Sequence, residues 1–484
     1  MKRFLFVALL ALAACAPVVQ PLAVEIPSPK SLEAVNAERV SIVGFDEPNT
    51  PNEFDKAFFV RYSLTKTTTA RAVVVLMPGF LGGAANFDRL ARSMVAKDPS
   101  LEVWAVDRRS NQLEEHQVLQ EALAKSNPRL AWQYHVRDAG KANGFKPRNP
   151  KDLKFMGFWG LQVHLEDLRR VVLLARNSGN KVLLGGHSLG AVMVSLYAGW
   201  DFAGTPGHKD IDALILLDGV AGRTSSENGS SQADYQAGVT GPFGIRGAGQ
   251  IGLENGVDIP YFSAFGFDPS GLSKLSTAAL LARFDPNGDS PDGIVAYPAS
   301  NLAAGMISGD DQHALVSAFA ISAGRVKNAK VSINVLSWFV GGFALDVVGV
   351  ADGASRVEWE IPSPNDPNEL TDPIDFARRF YTPQADFQEW YFPARLSLDI
   401  GAVGLEAPMW AKETLRVQHI ASTKIPVLAI RGTRGIVTAG DAYQSLEKKM
   451  QQKIIVRDLA NMTHLDVLSA RANPSVEWML EFSR

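Results

Sequence analysis

The stretch from Lys181 to Trp200 constrains the fold more than any other. An apolar run, Lys181 to Leu184, leads through Gly185 into Gly186-His187-Ser188-Leu189-Gly190, and the helix-compatible run Ala191 to Trp200 follows directly. A strand that turns into a helix this sharply needs small residues where side chains would collide, and it leaves the central serine hydroxyl projecting from the turn. Strand, tight turn and helix in that order make one unit of a parallel sheet with crossover helices.

The same alternation recurs along the chain. Ala72 to Met77 (AVVVLM), Leu101 to Val106, Ala213 to Leu217, Val427 to Ile430 and Ile454 to Val456 are apolar runs suited to strands covered on both faces, and Arg39 to Phe45 and Ala57 to Leu64 also read as strands. Leu161, Leu165, Leu168, Val172 and Ala175 mark the buried face of one helix, and a second helical pattern spans Ala439 to Met450. The expectation is an α/β fold, a mostly parallel sheet with helices on both faces and reactive groups at the carboxyl ends of its strands. Residues 220–419 break the pattern with Gly/Ser-rich, Pro-rich and aromatic segments. They read as a large cap insertion between two sheet strands, leaving 38–219 and 420–484 as the catalytic domain.

Met1, Lys2 and Arg3 precede a short apolar run, Phe4 to Leu12, which fits an export signal but is too short to span a bilayer. It ends in Leu12-Ala13-Ala14-Cys15, which resembles the lipobox of bacterial lipoproteins, whose cysteine is acylated. The resemblance implies an exported protein held on the cell envelope by a lipid anchor at Cys15; the other reading is an ordinary signal peptide. Residues 16–37, with four prolines, read as an extended tether. Cys15 is the chain's one cysteine, so no internal disulfide and no Cys-based zinc or redox site can form. A net charge of −3, from 48 Lys plus Arg against 51 Asp plus Glu, supplies no general attraction for nucleic acid. A small-molecule or lipid partner is expected instead.

Ser188 is a candidate nucleophile, and a serine hydroxyl needs a base within hydrogen-bond reach. His464 follows the last strand through Asn461-Met462-Thr463, where a neutral imidazole could accept the serine proton and return it to the leaving group. Attack would place negative charge on a substrate oxygen, which needs prealigned backbone N–H groups. Leu189, at the helix start, supplies one. The loop Pro78-Gly79-Phe80-Leu81-Gly82-Gly83 after the Ala72 to Met77 strand offers the second, with Phe80 preferred and Leu81 next.

With the elbow, its flanking strand and helix, and the glycine loop together, the chain resembles the α/β-hydrolase superfamily over about residues 38–219 and 420–484. The resemblance implies a serine hydrolase acting on esters, of carboxylesterase or lipase type, through an acyl-enzyme and without a cofactor or metal. It also implies a third residue, an acid that orients His464. Most relatives carry it a few residues after a Gly beyond the strand before the last helix. Here that stretch reads Arg431-Gly432-Thr433-Arg434-Gly435-Ile436, with Gly435 where Asp is expected. Asp218, which ends the Ala213 to Leu217 strand, is the preferred replacement, and Asp441 is the alternative. An acyltransferase using the same residues and a non-catalytic lipoprotein binding an apolar ligand under the cap remain rival readings.

Other features have blander readings. His187 is taken as packing; His116, His135, His208, His313 and His419 fall in segments expected at the surface or in the cap, and His164 on a helix. Asp285 to Gly293 lacks the glycine and closing Glu of a calcium loop and reads as an acidic turn. Arg108 and Arg109 read as ion-pair partners. Tyr261, Phe262, Phe265 and Phe267, then Phe387, Trp390, Tyr391 and Phe392, together with Val331 to Ala351, read as the cap's own core, or in part as an acyl pocket or a surface beside the membrane.

Overall fold

The computed structural model describes residues 26–64, 70–177, 180–222, 231–238, 247–314, 320–335, 344–437 and 442–484. Residues 1–25, with the expected export signal and Cys15, and the alternative acid Asp441 lie outside them. Eight strands form one sheet: β1 (Asn36–Val43), β2 (Lys56–Ser63), β3 (Ala72–Met77), β4 (Leu101–Asp107), β5 (Lys181–His187), β6 (Ala213–Leu217), β7 (Val427–Gly432) and β8 (Ile455–Leu459). Their order is β1-β2-β4-β3-β5-β6-β7-β8. β2 runs antiparallel to both β1 and β4, and every pairing from β4 to β8 is parallel. This is the mostly parallel sheet that the sequence predicts.

Each residue of β3 is buried, as a strand covered on both faces must be. Its side chains alternate between two cores. Val73, Val75 and Met77 pack with residues of the helices Leu161–Asn177 and Leu189–Gly199, while Ala72, Val74 and Leu76 pack with those of Asp88–Lys97 and Pro474–Phe482. Each of the buried Val, Leu and Met side chains contributes on the order of 1.5–3 kcal/mol by leaving water.

Two expectations change here. The tether is not extended to residue 37: a short helix, Pro29–Glu33, is capped by the Ser28 side chain, Leu32 and Val35 are buried, and Arg92 donates to the carbonyls of Leu32 and Val35 at 3.1 and 2.7 Å. Among the described residues, the insertion between β6 and β7 also shows no separate core. Trp390, Tyr391, Phe392 and Leu396 join the cluster on one sheet face, and Ala278, Leu281, Phe376 and Phe387 join that on the other. The helix Pro269–Phe284, capped by Asp268, belongs to this shared packing. In the hairpin 329–333/345–350, Ala329, Val347 and Val350 pack against the second cluster, while Ile333 and Val348 are exposed. Among the described residues no helix is long and apolar enough to cross a membrane.

Candidate active site

β5 delivers Ser188 to the carboxyl edge of the sheet. Ser188 has φ 56° and ψ −122°, a conformation that side chains avoid, and its N–H is pinned to the Leu217 carbonyl of β6 at 2.9 Å. Glycine is required at 190, where a Cβ would lie 2.0 Å from the Met77 carbonyl oxygen. Leu189 opens the following helix, so its N–H has no partner within that helix.

A cavity of about 370 Å³ opens over this turn, lined by Ser188, His464, the Gly79–Gly82 loop and a wall of phenylalanines that includes Phe262, Phe267, Phe376 and Phe387. His464 lies in the loop after β8. Its Nδ1 makes a 2.6 Å hydrogen bond with Asp218 Oδ2, and Asp218 is 0% exposed. The Asp218 carboxylate also accepts from the N–H groups of Ile436 at 2.9 Å and Gly432 at 3.3 Å. These donors offset the cost of burying a charge. The missing acid at 435 has a spatial explanation, because a Cβ there would lie 2.1 Å from Asp218 Oδ2. The carboxylate from β6 occupies the room that a side chain after β7 would take.

The loop of His464 is braced from below by Asp466. This buried carboxylate accepts from the Thr463 N–H and hydroxyl, the Ser322 N–H and hydroxyl, and the Thr371 hydroxyl, at 2.7 to 3.0 Å. His187 packs against His464 with ring centroids 4.2 Å apart, and its Nε2 lies 3.0 Å from the His464 carbonyl oxygen. That nitrogen therefore donates, leaving Nδ1 bare and buried without a partner among the described residues. Burial, reinforced by the neighbouring His464, holds the His187 pKa well below the usual histidine value.

In the glycine loop, Leu81 has φ 55° and a Cβ at Gly79 would lie 2.9 Å from Ser188 Cβ, so the loop and Ser188 touch. Among the described residues, no backbone carbonyl accepts the N–H of Phe80 or Leu81. The Phe80 ring meets Phe262 and Phe392 edge-on at 4.9 and 4.7 Å.

Other candidates lie apart from Ser188. His135, His208 and His313 are buried rather than superficial, because their rings pack in aromatic or backbone niches: His135 against Phe145 and Trp390, His208 on the Ala198 carbonyl, His313 on the Leu345 carbonyl. Desolvation lowers the His135 pKa to about 4. Among the described histidines, only His187 and His464 line the cavity. Asp289, in the acidic turn, pairs with Arg356 at 2.6 Å. Arg109 pairs with Asp55 and Asp167, and Arg108 with Glu389, each guanidinium fully buried. Among the described residues, two groups of side chains have cation-binding spacing, Asp310-Asp311-Glu369 and Glu114-His116-Asp386. Their oxygens are largely engaged by backbone N–H groups and side chains of the protein. Sequence reasoning missed the phenylalanines at 376 and 380, whose place on the wall depends on long-range packing.

No protein-family model matches the chain, and no curated protein matches it in sequence. Among solved structures, it is similar to a Sulfolobus solfataricus protein described as a candidate lipase, at 15% identity and TM-score 0.49, covering 93% of this chain and 95% of that one. It is also similar to a thioesterase domain from the curacin biosynthetic pathway (12%, 0.40, 93% and 99%) and to a soluble variant of monoglyceride lipase from Saccharomyces cerevisiae (12%, 0.37, 95% and 98%).

Proposed function

We propose that this chain, an α/β-hydrolase in fold, is a serine hydrolase that cleaves carboxylic esters through an acyl-enzyme on Ser188. The observation that carries the reading is the 2.6 Å bond between buried Asp218 and His464 Nδ1, in a cavity that His464 shares with Ser188. With Nδ1–H donated to Asp218, Nε2 carries the lone pair and can act as base. Ser188 Oγ attacks the ester carbonyl carbon as its proton passes to Nε2. The resulting oxyanion is held by the N–H groups of Leu189 and Phe80. Collapse breaks the ester bond, and the proton on Nε2 leaves with the alcohol. Water, deprotonated by the same imidazole, then releases the acid and restores Ser188.

The apolar wall supports a neutral ester with a hydrophobic acyl or alcohol part. The Leu12-Ala13-Ala14-Cys15 pattern supports export and a lipid anchor that would hold the enzyme beside membrane substrates. Incubation with a fluorophosphonate tests the chemistry: the wild type should label covalently and hydrolyse p-nitrophenyl esters, and Ser188→Ala should do neither. A folded wild type that fails to label overturns the reading in favour of a binding protein.

A further inference from the structure

We infer that Arg108 and Glu389 form a buried clamp that aims the Phe80 N–H into the cavity, so that the insertion supplies part of the oxyanion hole; this rests on the esterase reading. Both side chains are 0% exposed and ion-paired. The Arg108 guanidinium donates to the carbonyl oxygens of Pro78, Gly79 (2.7 Å) and Gly82 (3.1 Å). Glu389 closes the set, since its own N–H donates to the Leu81 carbonyl at 2.8 Å and its carboxylate accepts from Ser110.

A trans peptide unit points its C=O and its N–H in opposite directions. The Gly79 carbonyl turned onto Arg108 therefore turns the Phe80 N–H away from it. Gly79 and Phe80 both line the cavity on that side. A planar fork with several donors can hold three carbonyls at fixed angles; a lysine ammonium cannot. Glu389 neutralises the guanidinium, without which a lone cation would be buried beside the loop.

Glu389 also belongs to a seam. The Gly83 N–H donates to the Phe387 carbonyl at 2.9 Å, the Asn86 amide donates to the same oxygen at 2.6 Å, and Gly82 and Gln388 form a bridge. The insertion is thus joined to the oxyanion loop along residues 386–389. Arg108 and Glu389 act as positioning residues, because neither lines the cavity.

The test uses Arg108→Lys and Glu389→Gln in the full chain. Three readouts are needed: steady-state kinetics on the best ester, affinity for a trifluoromethyl ketone that forms a tetrahedral oxyanion on Ser188 against affinity for a planar amide analogue, and amide hydrogen exchange over 78–83. A misaimed donor should lower kcat about 10- to 100-fold with KM nearly unchanged. Ketone affinity should fall in parallel while amide affinity holds, and exchange over 78–83 should quicken in both variants. Folded variants with wild-type kcat, or with ketone and amide affinities falling equally, overturn the clamp. If the wild type fails to react with fluorophosphonate, the esterase reading fails; exchange then decides alone, and unaltered rates over 78–83 overturn the clamp as well.

Discussion

Asp218 and Gly435 share one small space, and each is explained by the other. Asp218 stands at φ 42° at the end of β6 with its carboxylate reaching across β7, and Gly435 is bare because that carboxylate fills its side-chain volume. Gly435→Ala should therefore push the carboxylate off His464 and depress kcat while leaving KM near wild type, as steady-state kinetics would register. Asp218→Asn should cost on the order of 10³–10⁴ in kcat, by loss of the orienting charge and of the correct tautomer. An Asp218→Gly/Gly435→Asp exchange should recover at least part of the loss of Asp218→Gly alone; a double variant no better than the single one would show that 435 cannot host the acid. The elbow and the histidine loop were legible here because their signals are local. The pairing of 218 with 435 was half legible: the sequence marks a glycine where an acid is expected, and only the β6–β7 register says why.

At the scale of elements, the strands read clearly from the sequence because both of their faces are buried and apolar runs result. β5 extends to His187, beyond the apolar run, because its ladder with β6 continues through the glycines. The N-terminal segment misled because prolines suggest an open tether, whereas Pro29 at a helix start is well placed and Leu32 and Val35 find a core. Arg109 shows how polar residues fasten elements: it donates to Asp167 with two nitrogens at 2.7 Å, to Asp55 at 2.9 Å and to the Phe45 carbonyl at 2.9 Å. It thereby joins the end of β4 to the helix Leu161–Asn177 and to the β1–β2 connection. Arg109→Met leaves two carboxylates without their cation, and should cost about 3–5 kcal/mol in urea unfolding. A loss under ~1 kcal/mol would show that water replaces the guanidinium.

Across the whole molecule, the insertion and the sheet are one structure, since their apolar side chains share two cores and residues 386–389 brace the glycine loop at 78–83. Excision of the insertion should therefore abolish cooperative unfolding rather than give an open enzyme, and calorimetry of the shortened chain would decide. The fold also buries acid. Asp310, 0% exposed, has its pKa raised to about 8, chiefly by desolvation. Between the unfolded value near 4 and this folded value, the native state keeps a proton that the unfolded chain has released. The group's stabilisation is therefore complete below about pH 4 and is lost as pH rises through 8. Tm followed from pH 4 to 8 should carry this downward component, and Asp310→Asn should lessen it; identical slopes would contradict the shift.

The sequence by itself determined the alternation of strand and helix, the strained turn at Ser188, the glycine loop and the Ser, Asp, His order along the chain. These are written in short stretches where periodicity, small residues and β-branched runs act on near neighbours. Tertiary structure alone decided that Asp218 meets His464, that Arg108 and Glu389 close on the loop at 78–83, and that the described residues of the insertion join the two cores of the sheet. Those outcomes depend on contacts between residues far apart in the chain, whose partners compete for one buried volume or one set of hydrogen bonds, and that competition is resolved only when the whole polypeptide packs.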